Sequence, residues 1–151
     1  MRDSFRRLLQ ALHEHQVRFV VIGVWGANCY APGGPALFET YECNLFLPLD
    51  PSNLVRAWDA SKEAGMSLWV GNEPLDTPRD LELARRVVER RALIRGTDDH
   101  RELQVDLTLM MAGFDCETAW AERRTFLADN VPIPVARLPH LVQSKEAAGP
   151  D

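Results

Sequence analysis

Apolar residues recur at Phe5, Leu8, Leu9 and Leu12. That three-four spacing marks one face of a helix, with Asp3 or Ser4 as its cap. The period then changes: Arg18-Phe-Val-Val-Ile-Gly23 is a β-branched run and predicts a buried strand. Gly23 and Gly26 flank a tight turn into a short helix through Asn28, which Ala31-Pro-Gly-Gly-Pro35 ends. A second strand spans about Cys43 to Pro48. Asp50-Pro51 opens a helix as cap and first residue, with Leu54, Val55 and Trp58 on its inner face and Gly65 at its end. Leu68-Trp69-Val70 predicts a short strand. Thr77-Pro78-Arg79-Asp80 repeats the cap-then-proline signal for a helix to about Arg91, with Asp80 at the capping-box position. Ala92 to Arg95 and Arg101 to Leu109 read as strands around the turn Gly96-Thr-Asp-Asp-His100. Asp115 caps a short helix carrying Trp120. Thr125 to Leu127 and Val131 to Val135 pair around Asp129-Asn130, and a last helix runs from near Pro139 to Gly149. Strands alternate with helices early and pair as hairpins late. The pattern predicts an α/β (α+β) domain with a mixed β-sheet, the helices packed mainly on one face. No repeat or linker divides it, so residues 1–151 read as a single domain.

Composition narrows the function classes. Hydrophobic residues make up 46% of the chain, enough for a core and too many for a disordered protein. Lys and Arg total 17 against 22 Asp and Glu, a net charge of -5 that speaks against a broad surface for duplex nucleic acid. No apolar run is long enough for a membrane span, and MRDSFRRLLQ carries charges where an export signal is apolar. The expected location is cytoplasmic. Cys29, Cys43 and Cys116 are too widely spaced for a zinc pattern and odd in number, so they read as three reduced thiols. His13 and His15 face different ways on a helix and do not make a metal site.

Strand alternation points to one patch of chemistry. Glu42, Asn44 and Phe46 share a face, and Cys43, Leu45 and Leu47 share the other. Leu103, Val105, Leu107 and Leu109 likewise form an apolar face opposite Gln104, Asp106 and Thr108. If the two strands are neighbours, Glu42, Asn44 and Asp106 converge. Three oxygen-bearing groups on a rigid sheet suit Mg²⁺, although alternating strands also place such trios on plain solvated faces. On the last helix, Lys145 falls on the side of the stripe Leu138, Leu141 and Val142. It either snorkels past the stripe or meets a carboxylate or phosphate. Arg85, Arg86, Arg90 and Arg91 read as a solvated face offset by Glu82 and Glu89. Pro32-Gly33-Gly34-Pro35 reads as a turn that also could offer N–H groups to a phosphate.

Taken in order, Val20-Val-Ile-Gly23, Thr40-Tyr-Glu-Cys-Asn-Leu45, Val105-Asp-Leu107, Ile133-Pro-Val-Ala-Arg-Leu138 and Leu141-Val-Gln-Ser-Lys-Glu-Ala-Ala-Gly149 resemble the small bacterial nucleotidyltransferase-fold family. That group includes minimal nucleotidyltransferase antitoxins and AbiEii-like toxins. The resemblance implies a mixed sheet with a nucleotide cleft on its open face. It places Glu42 and Asn44 at the paired metal-binding acids and Asp106 at the third acid. Gly23 and Val24 fall on the phosphate motif, and Lys145 within reach of a phosphate. Several positions depart from the family pattern. Val24 stands where a small residue is usual, Asn44 replaces an acid, and Glu42 is longer than Asp. Phe38 stands where an arginine is usual, and the chain ends at Asp151 where the family runs on. The resemblance therefore implies a degenerate member, or pseudoenzyme, acting as a binding or regulatory partner, for instance of a toxin or antitoxin. The alternative is an active Mg²⁺-dependent nucleotidyltransferase that moves a nucleotide monophosphate from a nucleoside triphosphate to an acceptor. A third reading is a small α/β domain unrelated to nucleotides.

Overall fold

The computed structural model describes residues 3–32, 42–75, 78–99 and 103–148. The expectations for Gly33, Gly34, Pro35, Phe38, Thr40, Tyr41, Thr77, His100, Arg101 and Gly149 lie outside them. Helix α1 (Asp3–Glu14) buries Phe5, Leu8, Leu9 and Leu12, as their spacing predicts. Asp3 and Ser4 sit inside its first turn, where the Ser4 hydroxyl donates to Asp98 at 3.0 Å. Strand β1 (Val20–Ile22) runs directly into α2 (Gly23–Asn28). Then come β2 (Glu42–Phe46) and α3 (Pro51–Glu63), whose first turn is capped by the Asp50 carboxylate accepting from the Ser52 N–H. Next are β3 (Ser67–Val70), β4 (Glu73–Pro74), α4 (Leu81–Arg90), β5 (Ile94–Thr97) and β6 (Gln104–Thr108). Helix α5 (Cys116–Ala121) is capped by Asp115, the hairpin β7 (Arg124–Ala128) and β8 (Val131–Val135) turns through Asp129 and Asn130, and α6 (Leu138–Ala148) closes the order. Both hairpin-turn residues take positive φ, 52° and 65°, a conformation that Asp and Asn tolerate.

The eight strands among the described residues join one mixed sheet in the order β4-β3-β5-β6-β2-β1-β8-β7. Strand β2 is antiparallel to β1 and parallel to β6. The larger core lies on one face, where Cys43, Leu45, Val105, Leu107, Ile133 and Val135 meet apolar residues of α1, α3 and α4. Trp58 of α3 is fully buried there. Among the described residues the second face is covered only in part. Val20, Ile22 and Phe46 pack there against Cys116, Ala119 and Leu141 of α5 and α6. The neighbouring stretch of that face, with Glu42 and Asn44, is exposed. No helix among the described residues is long and apolar enough to cross a membrane.

Three local readings of the sequence are corrected. The cap of α4 is Asp80, whose side chain accepts from the Leu83 N–H at 3.0 Å, so Pro78 and Arg79 precede the helix. Gly96 is a strand residue and not a turn residue. A Cβ there would come within 3.3 Å of Met66, so its smallness serves sheet packing and β5 continues to Thr97. In α6 the stripe is not buried throughout: Leu141 is, whereas Leu138 and Val142 are 39% and 50% exposed.

Candidate functional site

The register of the central strands assembles the site. Asn44 pairs with Asp106 on one side and with Ile22 on the other, and Glu42 pairs with Gln104. Parallel pairing keeps side-chain alternation in phase, so Glu42, Asn44 and Asp106 project from the same face, away from Cys43, Leu45, Val105 and Leu107. Their surroundings differ. Asp106 pairs with Arg95 of the adjacent β5, and the guanidinium Nε donates to its Oδ1 at 3.0 Å. Glu42 accepts from the Gln104 amide at 3.4 Å.

The register Ile22↔Asn44 also sets the next residue, Gly23, beside the Asn44 side chain. Gly23 has φ +73°, and a Cβ on it would stand 3.0 Å from Asn44 Nδ2. The left-handed backbone favours glycine, and a side chain there would also press on the Asn44 amide. Three residues on, a Cβ at Gly26 would meet the Val21 carbonyl oxygen at 3.0 Å, so this glycine lets α2 lie close against β1.

Together α2, β2, the segment after β6 and α6 enclose a cleft of about 840 Å³. Gly23, Val24, Asn44 and Lys145 line it; Glu42 and Asp106 do not. Its walls are largely apolar. Val24 is 71% exposed and Met110 62%, and Leu138 and Val142 stand beside them. Lys145 contributes the cleft's positive charge, with Ser144 and Glu146 next to it. The α6 wall is fastened at its start. His140 is buried, its ring lies 4.5 Å from Phe114, and its Nε2 sits 3.2 Å from a Glu122 carboxylate oxygen. Near the other end, Gly113 (φ +82°) lies by Ala147: a Cβ on the glycine would stand 3.5 Å from the Ala147 Cβ.

The donor set does not fit a resident Mg²⁺. Asn44 is neutral, Asp106 already accepts from a guanidinium, and Glu42 stands outside the cleft. Among the described residues no three His, Cys, Asp or Glu groups gather as metal ligands. The three cysteines are free and buried, and burial pushes the Cys29 and Cys116 thiols up to about 12. The arginines of α4 do not line the cleft; Arg85, Arg86 and Arg90 are exposed, and Arg86 lies 3.9 Å from Glu82. Sequence reasoning missed Arg95 and the apolar lining. The Arg95 partnership follows from the β5–β6 register, in which Ile94 meets Leu107. Met110 and Met111, an apolar pair just past β6, were the available signal for the lining. No family model, curated protein or solved structure matches the chain.

Proposed function

We propose that this chain is a degenerate nucleotidyltransferase-like domain that works by binding, as a regulatory partner such as one half of a toxin–antitoxin pair. The observation that carries the reading is the Arg95–Asp106 pair beside Asn44. Two-metal phosphoryl transfer needs carboxylates free to hold the ions. Here the central acid is engaged by a cation and its neighbour is an amide, so the metal-holding charge is cancelled where it is needed.

The cleft's chemistry supports the same reading. A nucleoside triphosphate brings several negative charges, whereas Lys145 is accompanied by Glu146. Val24, Met110, Leu138 and Val142 favour an apolar occupant. A protein segment with apolar side chains beside one carboxylate matches that lining. The test is incubation with each nucleoside triphosphate and Mg²⁺, with intact-mass detection of nucleotide transfer to the chain or to an added partner. No product is expected. A transferred nucleotide monophosphate that disappears in Asp106→Ala overturns the proposal in favour of the active enzyme.

A further inference from the structure

The two edges of the sheet are built differently. At one end β4 has two residues, Glu73 and Pro74, an acid and a proline that discourage further pairing. At the other end β7 has five residues, with neither proline nor lysine, and β8 is its only partner among the described residues. Pro132 and Pro134 of β8 stand opposite Leu127 and Thr125. Proline has no N–H to donate. The bonded rungs of this hairpin are therefore Arg124↔Val135, Phe126↔Ile133 and Ala128↔Val131. The N–H and C=O groups of Thr125 and Leu127 consequently point away from β8, the strand paired with β7 among the described residues. Leu127 is 72% exposed, while Phe126 turns inward and meets Tyr30 edge-on at 5.0 Å. The edge, unpaired among the described residues, is thus held in place from behind.

We infer that β7 is a self-association surface, through which two copies of this chain pair antiparallel and continue one sheet across a two-fold axis. Centring the axis on Phe126 sets Thr125 of each copy opposite Leu127 of the other. Both outward-facing residues are then bonded in both copies. Shifting the centre to Leu127 sets Thr125 against Asp129, whose φ of 52° has already turned the chain away. The Phe126-centred register also sets Arg123 of one copy level with Asp129 of the other, opposite charges at both ends of the contact once the Arg123 guanidinium swings off Trp120, on which it stacks at 3.7 Å. Each exposed Leu127 then lies against Thr125 of the other copy and diagonally across the axis from the second Leu127.

Sedimentation of the full chain through micromolar concentrations tests this. The wild type is expected to show a monomer–dimer equilibrium. Leu127→Lys and Thr125→Pro should each raise the dissociation constant about tenfold or more. Thr125→Pro removes an outward N–H and leaves the bonds to β8 in place. Arg123→Asp should weaken the dimer, and adding Asp129→Arg should restore it. Circular dichroism checks that each variant is folded; if Thr125→Pro is not, Leu127→Lys decides, since its side chain is exposed. A wild type that remains monomeric, or a dimer constant unmoved by the folded variants, overturns the inference.

Discussion

Arg95 and Asp106 are direct cross-strand partners, with the guanidinium Nε 3.0 Å from the carboxylate Oδ1, on the sheet face that also carries Asn44. Arg95 is about half exposed, so the pair contributes about 1 kcal/mol or less to stability. Its larger effect is on charge: the guanidinium reaches Asp106 from β5, the flank opposite Asn44, and offsets the carboxylate's negative charge. Wild-type affinity for Mg²⁺ is expected to be weak. Asn44→Asp adds a carboxylate and Arg95→Gln removes the competing cation, so each should tighten binding, and the double variant should gain about tenfold or more. Calorimetry on the four proteins decides. Equal affinities would place any bound Mg²⁺ away from these residues.

The two glycines of α2 should fail in different ways. Gly23→Ala forces a left-handed alanine, costing about 1–2 kcal/mol, and adds a contact with Asn44 Nδ2. That neighbour is the end of a flexible side chain, so Asn44→Ala should relieve the contact and leave the backbone cost. Gly26→Ala meets the Val21 carbonyl oxygen, which cannot swing away, and overpacking of this kind costs about 1–3 kcal/mol. Asn44→Ala should not relieve it. Urea midpoints for the single and double variants measure both effects.

Much of this fold was legible because periodicity reports which face of an element is apolar. Leu8 and Leu12 on α1, Leu54 and Trp58 on α3, and Cys43 and Leu45 on β2 are all buried where spacing puts them. The alternation that buries Cys43 also turns Asn44 outward, and the parallel pairing with β6 places Asp106 beside it. Periodicity does not say what covers a face. Leu138 and Val142 have the spacing of core residues, yet only Leu141 finds enough neighbours to be buried. Nor does it set hairpin register. A turn placed at Gly96 shortens β5 and cannot set Arg95 opposite Asp106, the pairing in the structure. Thr77 and Asp80 each carry an oxygen suited to capping, and only the first helical residue, Leu81, decides between them.

The buried thiols predict alkaline sensitivity. Burial raises Cys29 and Cys116 from an ordinary value of 9.0 to about 12 and holds Cys43 well above it. The folded chain keeps these protons while the unfolded chain releases them. Their contribution is therefore complete below about pH 9 and is lost as pH rises from there toward about 12. Urea midpoints should fall across that window, and less steeply in Cys29→Ala with Cys116→Ala than in wild type. At neutral pH the native thiols should resist alkylation and react after unfolding.

Lys145 and the apolar walls around it predict how the cleft treats a small probe. An anilinonaphthalene sulfonate pairs fused apolar rings with one anionic group, the combination that Val24, Met110, Val142 and Lys145 offer together. Its fluorescence should rise on binding the native chain and saturate. A charge-assisted hydrogen bond from a lysine contributes roughly 1.5–3 kcal/mol, so Lys145→Ala should weaken binding about tenfold. Val142→Ser with Val24→Ser should weaken it through lost apolar contact while leaving its salt dependence as in wild type. Arg85→Glu with Arg86→Glu should change only the salt dependence, because those side chains are exposed and do not line the cleft. Should the Lys145 variant bind the probe as tightly as wild type, its ammonium group does not serve the cleft, and binding there is carried by the apolar walls alone.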